Sequence, residues 1–165
     1  MRYLLFILVF TSFISCQNKG ASENDAIEIQ KSDLARMRWI TGTWVGDYKG
    51  RPFYETYEMS NDSTLRIVGY EHVGTDTSSF NETFVYWKDG EYYMGQGPNY
   101  KVTKLDEKEV RMMPLQASNE ILWTSVNDST WTALLPAKTD TAFYTLRRVS
   151  PAMDTVLMSI ASKAK

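Results

Sequence analysis

The chain is poor in the side chains that carry most metal and nucleophile chemistry, with one cysteine and one histidine among 165 residues. A single thiol excludes an internal disulfide. Two soft ligands fall short of the four that a structural zinc needs, and any Cys–His or Ser–His catalysis would rest on His72 alone. Charge of one sign is also scarce. Eighteen Lys and Arg face 20 Asp and Glu, for a formal charge of −2, so there is no broad cationic surface to neutralise phosphates and nucleic acid is not a predicted partner. Gly95-Gln96-Gly97-Pro98 leads into strand-like sequence rather than a helix, and so reads as a bulge or tight bend, not a phosphate cradle. No pattern asks for a cofactor or a metal, and no catalytic residue is assigned. Length, 43% hydrophobic residues and 23% charged residues fit one globular domain.

The long apolar run lies at the start. Met1-Arg2-Tyr3 is followed by Leu4 to Phe13 and then Ile14-Ser15-Cys16. The run is shorter than the ~20 residues a membrane-spanning helix requires, which predicts a signal peptide over 1–15. Phe13-Ile14-Ser15-Cys16 resembles the lipobox of bacterial lipoproteins, with Phe where Leu is usual. The resemblance implies cleavage before Cys16 and lipidation of its thiol, with acyl chains holding the membrane at roughly 0.8 kcal/mol per buried methylene. Gln17, rather than an acidic residue, implies transfer to the outer membrane of the bacterial cell envelope. An ordinary secretory signal with an incidental Cys16 is the alternative. Residues 16–31 are polar and small and read as a flexible tether, leaving 32–165 as the folded domain.

Ser32 or Asp33 is placed to cap a helical turn through Leu34 and Met37. Beyond Trp39 the pattern is β almost throughout, in runs rich in Thr, Tyr, Val and Trp. The predicted strands are 40–48, 52–60, 64–73, 80–88, 91–97, 99–105, 108–113, 119–125, 129–136 and 140–149. Lys49-Gly50, Asp62-Ser63, Asp89-Gly90, Asp106-Glu107 and Asp128-Ser129 are connections that suit tight hairpins. Asn61-Asp62-Ser63-Thr64 and Asn127-Asp128-Ser129-Thr130 repeat four letters, read as two similar turns rather than a duplication. Short hairpins exclude parallel crossovers, so the sheet is expected to be antiparallel and to close on itself. The fold class is therefore all-β, a single antiparallel up-and-down barrel of about 8–10 strands. A C-terminal helix is expected from Ser150 to Lys163, with Met153, Leu157 and Ile160 on the face packed against the barrel wall or its end.

Gly42-Thr43-Trp44 opens the first strand and resembles the Gly-x-Trp of the lipocalins and the Gly-Thr-Trp of fatty-acid-binding proteins, the calycin group. Trp39 to Trp44, followed by Glu55-Thr56-Tyr57, is also similar to a group of uncharacterised bacterial lipocalin-like domains. The resemblance covers about residues 36–149. It implies a barrel whose floor is closed by the Trp44 indole, with a basic residue from the last strand, Arg147 or Arg148, against it.

Alternation places Phe53, Glu55, Tyr57 and Met59 on one face, and Glu82 with Phe80, Phe84 and Tyr86 on one face of another strand. Glu55 and Glu82 pointing into one cavity would form an acid/base pair; hydrogen bonding to strand neighbours such as Arg66 is the plainer reading. Tyr86, Tyr93, Trp87, Trp123, Trp131 and Tyr144 line a pocket or fill a core. The candidate ligand-binding set is Glu55, Tyr57, Glu82, Phe84, Tyr86, Tyr93, Trp123 and Trp131. His72 reads as a rim residue or a proton shuttle. The function expected is a lipid-anchored envelope protein holding a small apolar or aromatic molecule inside its barrel. A filled barrel acting as an envelope interaction module, or a carboxylate-dependent enzyme, are the alternatives.

Overall fold

The computed structural model describes residues 28–75, 78–136 and 141–162, so the signal segment, Cys16 and the tether up to residue 27 lie outside the described residues. A 3₁₀ helix, Lys31–Ile40, comes first. Ten strands follow: β1 Gly42–Tyr48, β2 Arg51–Asn61, β3 Thr64–Glu71, β4 Ser79–Lys88, β5 Glu91–Gly95, β6 Tyr100–Leu105, β7 Glu109–Pro114, β8 Ile121–Asn127, β9 Thr130–Leu135 and β10 Ala142–Arg148. The chain ends in helix α1, Pro151–Ser162. Every strand pairs antiparallel with its sequence neighbour, and β1 pairs with β10, which closes the barrel.

The turns explain why the strands stop where they do. Lys49 and Gly50 have φ of 53° and 79°, and Asp89 and Gly90 have 51° and 89°. Two successive positive φ values are those of the two-residue hairpin turn whose twist matches the strands. In the repeated turns, the Asn61 side chain accepts the Ser63 N–H at 2.9 Å and the Asn127 side chain accepts the Ser129 N–H at 3.0 Å. Each turn also follows a break in register, Met59/Asn61 and Ser125/Asn127. One local device used twice accounts for the repeat. The strand expected over 64–73 ends at Glu71, because His72 takes a positive φ of 52° and starts a turn. The strand expected over 91–97 ends at Gly95, and Gly97 then accepts the Asn99 N–H at 2.8 Å.

An eight-stranded barrel is just wide enough for side chains to fill, and ten strands leave more room. At one end the 3₁₀ helix takes up that room. Its three-residue repeat puts Leu34, Met37 and Ile40 on one face, and all three are buried in the barrel core. Trp39 donates its indole N–H to the Asp106 carbonyl at 3.4 Å. The Tyr92 hydroxyl donates to the Lys31 carbonyl, and burial, then the Asp33 carboxylate, push that hydroxyl up to about 12. The cap differs from expectation. Asp33 lies within the first turn, its carboxylate accepting the Gln30 N–H at 2.8 Å, so Gln30 rather than Ser32 or Asp33 occupies the capping position. Ile29 packs on the core and the helix starts at Lys31, so ordered packing begins inside the stretch expected to be tether.

Helix α1 docks on the outside of the wall. Leu157 and Ile160 bury against Val68 and Tyr70 of β3, with Met153 and Phe80 of β4 beside them. Pro151 occupies the first turn, where its missing N–H costs nothing. Asp154 accepts a hydrogen bond from the Thr43 hydroxyl, tying the helix to β1. Among the described residues no helix is long and apolar enough to cross a membrane.

Candidate functional site

The site is built upward from the closed end. Trp44 is 1% exposed and donates its indole N–H to the Ile40 carbonyl at 2.6 Å. Its cross-strand partner on β10 is Arg148, whose guanidinium carbon lies 4.3 Å from the centre of the Trp44 rings. The same guanidinium reaches the Asp128 carbonyl at 2.8 Å and the Thr41 carbonyl at 3.1 Å, pinning the ends of three chain segments. Gly42 makes this arrangement possible. Its φ is +116°, and a Cβ there would stand 2.2 Å from an Arg148 nitrogen. Of the two candidate arginines, Arg148 is the one over the indole; Arg147 pairs with Val45 and is exposed.

Above Trp44 lies a layer of rings. Trp131 meets Trp44, Trp39, Tyr57 and Trp123 with centroids 5.6–6.3 Å apart and steep interplanar angles, the edge-to-face geometry that aromatic quadrupoles favour. Tyr57 and Trp123 pack at 5.7 Å and 90°. Among the described residues the Trp131 indole N–H is buried without a hydrogen-bond partner.

On the far side of that layer the barrel opens into a pocket of about 450 Å³. Tyr57, Trp123 and Trp131 form its base, Ile121, Ala133 and Leu146 its sides, and Phe53, Tyr48 and Tyr144 its outer end. Phe53 stacks at 5.5 Å and 86° on Tyr144, its ring lying over Gly46, where an added Cβ would meet it at 2.2 Å. At the rim the Lys49 ammonium stands 5.1 Å from the Tyr48 ring centre.

Glu55 is the ionisable acid in this lining. It accepts the Tyr57 hydroxyl proton in a 2.6 Å hydrogen bond. Burial pushes its carboxyl above the usual 4.5, and the Tyr57 hydrogen bond pulls part of the way back. Burial, then the Glu55 charge, raise the Tyr57 hydroxyl well above its ordinary value, so that hydroxyl stays protonated and remains the donor.

Above about pH 4.5 the unfolded carboxyl is ionised while the folded one holds its proton longer, so ionisation opposes folding as pH rises through the folded value. Glu55→Gln keeps the shape and an acceptor for Tyr57. It is expected to raise Tm by a few degrees at neutral pH, with the gain vanishing below about pH 4. Thermal unfolding across that range, followed by circular dichroism, measures it; a gain that persists in acid would contradict the burial argument.

Four of the eight candidate ligand-binding residues line the cavity: Glu55, Tyr57, Trp123 and Trp131. The other four require correction. Glu82, Phe84 and Tyr86 lie on the outer face of β4, because the register sets Val85 opposite core residue Leu65 and so turns its neighbours outward. Glu82 is held outside by Arg66, whose Nε donates to it at 3.1 Å, and Arg66 also pairs with Glu58 at 3.3 Å. Glu55 and Glu82 therefore share no cavity, and the paired-carboxylate arrangement is not formed. Tyr93 is on the outer face too, donating to Glu91 at 2.7 Å and packing on Tyr86 at 6.2 Å. Its neighbour Tyr92 is the one that enters the core. Among the described residues, no cluster of His, Cys, Asp and Glu is placed to hold a metal.

Phe53, Ile121, Ala133 and Leu146 line the cavity without having been named as ligand residues. Alternation outward from Trp131 and Trp123 would have found Ala133 and Ile121 once those two indoles were fixed as inward.

No family model matches the chain, and no curated protein matches it. Among solved structures it is similar to a redesigned β-barrel, at 11% sequence identity and a TM-score of 0.37, covering 74% of this chain and 99% of that one.

Proposed function

We propose that the protein is a lipid-anchored envelope protein whose barrel holds a small, largely apolar ligand. The observation that carries the binding half is the cavity of about 450 Å³, which stands on a layer of interlocked rings and is walled by aromatic and aliphatic side chains. That volume lies within the ~300–1,000 Å³ range of small-molecule sites, and its character is that of such sites: apolar walls with a few placed polar groups. The pocket favours this reading over the filled-barrel alternative. The anchor rests on Phe13-Ile14-Ser15-Cys16, outside the described residues.

Native mass spectrometry of the protein purified from its membrane fraction tests the binding half. A bound small molecule released on denaturation is the expected result. A matched variant locates it. Ala133 lines the cavity and is 6% exposed, and Ala133→Phe places a ring in the empty volume. Binding of the released molecule is expected to weaken by at least about tenfold, or about 1.4 kcal/mol, while near-UV circular dichroism stays that of a folded protein. Undiminished binding by the folded variant would move the ligand out of the barrel. Globomycin treatment tests the anchor: accumulation of the uncleaved form is expected, and unaltered processing with a free Cys16 thiol would remove it.

A further inference from the structure

We propose that the cavity selects organic amines: molecules with a flat apolar body and a protonated nitrogen that pairs with Glu55. The inference rests on the cavity being the ligand site. Three features of the lining converge on it. First, the charge that the lining can carry near neutral pH is negative, since Glu55 stands there with no Lys, Arg or His among the described lining residues. A ligand carboxylate would bring a second negative charge into a space of low dielectric, where repulsion is weakly screened. Second, the neighbouring hydroxyl cannot rescue such an anion, because the Tyr57 proton is already given to Glu55 at 2.6 Å. The pair therefore offers acceptor oxygens to a ligand. Third, the base of the cavity is built from Tyr57, Trp123 and Trp131, and the negative faces of such rings attract cations.

The body of the molecule follows from the remaining walls. Ile121, Leu135 and Leu146 are aliphatic, and Phe53 with Tyr144 forms an edge-to-face pair toward the outer end. Those surfaces suit an aromatic ring better than a long flexible chain. Burial also disfavours a lone Glu55 charge. A bound ammonium relieves that penalty, whereas a neutral guest leaves it in place.

Three probes of one shape separate charge from fit: tryptamine, tryptophol and indole-3-propionate, titrated calorimetrically into the full chain at neutral pH. Tryptamine is expected to bind at least about tenfold more tightly than indole-3-propionate, with tryptophol between them. Glu55→Gln should bring the three affinities to within about twofold, while Glu55→Asp, which keeps the charge, should keep tryptamine first. Indole-3-propionate binding as tightly as tryptamine, or an amine preference that survives Glu55→Gln in the folded variant, overturns the proposal. Tryptophol binding without any preference for the amine overturns it too, yet leaves the cavity as a ligand site. Heat from none of the three overturns the amine proposal, and an empty result in the mass-spectrometric experiment would remove the ligand site separately.

Discussion

Trp44→Ala is expected to cost about 3–5 kcal/mol of folding stability, the range for deleting a large buried aromatic side chain. The indole is 1% exposed and touches the fold through three different interactions. It stacks under Arg148 at 4.3 Å, packs edge-on against Trp131 at 6.2 Å, and donates to the Ile40 carbonyl at 2.6 Å. Alanine removes all three, leaves the Ile40 carbonyl without that donor and opens a void at the junction of β1, β10 and the 3₁₀ helix. A domain with ordinary stability of about 5–15 kcal/mol would be left marginal. Urea unfolding reads the effect as a lower midpoint at unchanged slope. A loss below about 1 kcal/mol would mean that the floor of the barrel is sealed by something other than this indole.

Gly42→Ala is the second large effect, at about 2–4 kcal/mol. Two costs combine there: a side chain at φ +116° is strained, and the new Cβ would stand 2.2 Å from the Arg148 guanidinium. Gly90→Ala separates them. Gly90 also has a positive φ, but open space surrounds its Cβ position, so strain alone should cost it about 1–2 kcal/mol. The clash should further disappear in an Arg148→Ala background, making the double variant less destabilised than the sum of the two singles. Additive losses would show that Gly42 and Arg148 do not act on each other. Glycine clears the place where the arginine lies, and the tryptophan supplies the surface on which it rests.

The barrel was legible because its signals are local. Lys49-Gly50 and Asp89-Gly90 dictate two-residue turns by backbone sterics alone, and Asn61 and Asn127 make the same side-chain cap within their own turns. Ten strands with such connections leave closure as the way to remove two open edges. The ends of the strands were less legible where a turn starts early, as at His72.

The inner face was harder to read, for a reason seen on β4. Its outer side carries Phe80, Phe84 and Tyr86, and that apolar set suggested an inward face. Part of that outer side has its own cover: helix α1 lays Leu157 and Ile160 over β3 and Phe80, and Tyr86 packs on Tyr93. When both faces of a wall are covered, apolar content no longer marks the inside, and only register decides. Tyr92-Tyr93 shows the same ambiguity within one step of the chain. Tyr92 enters the core to hold Lys31, while Tyr93 binds Glu91 outside. Glu55 was legible because it interrupts a run of alternate apolar residues, Phe53, Tyr57 and Met59, that outweighs the lone Tyr54 on the opposite face.

The closed barrel holds an unfilled pocket above its layer of rings. A crystal structure collected under xenon pressure is the sharpest test, because xenon binds against apolar cavity walls. Anomalous density is predicted inside the barrel, bounded by Phe53, Tyr57, Ile121, Trp123 and Ala133. A barrel without xenon, in which Phe53 and Tyr144 have folded inward onto Trp123, would contradict it.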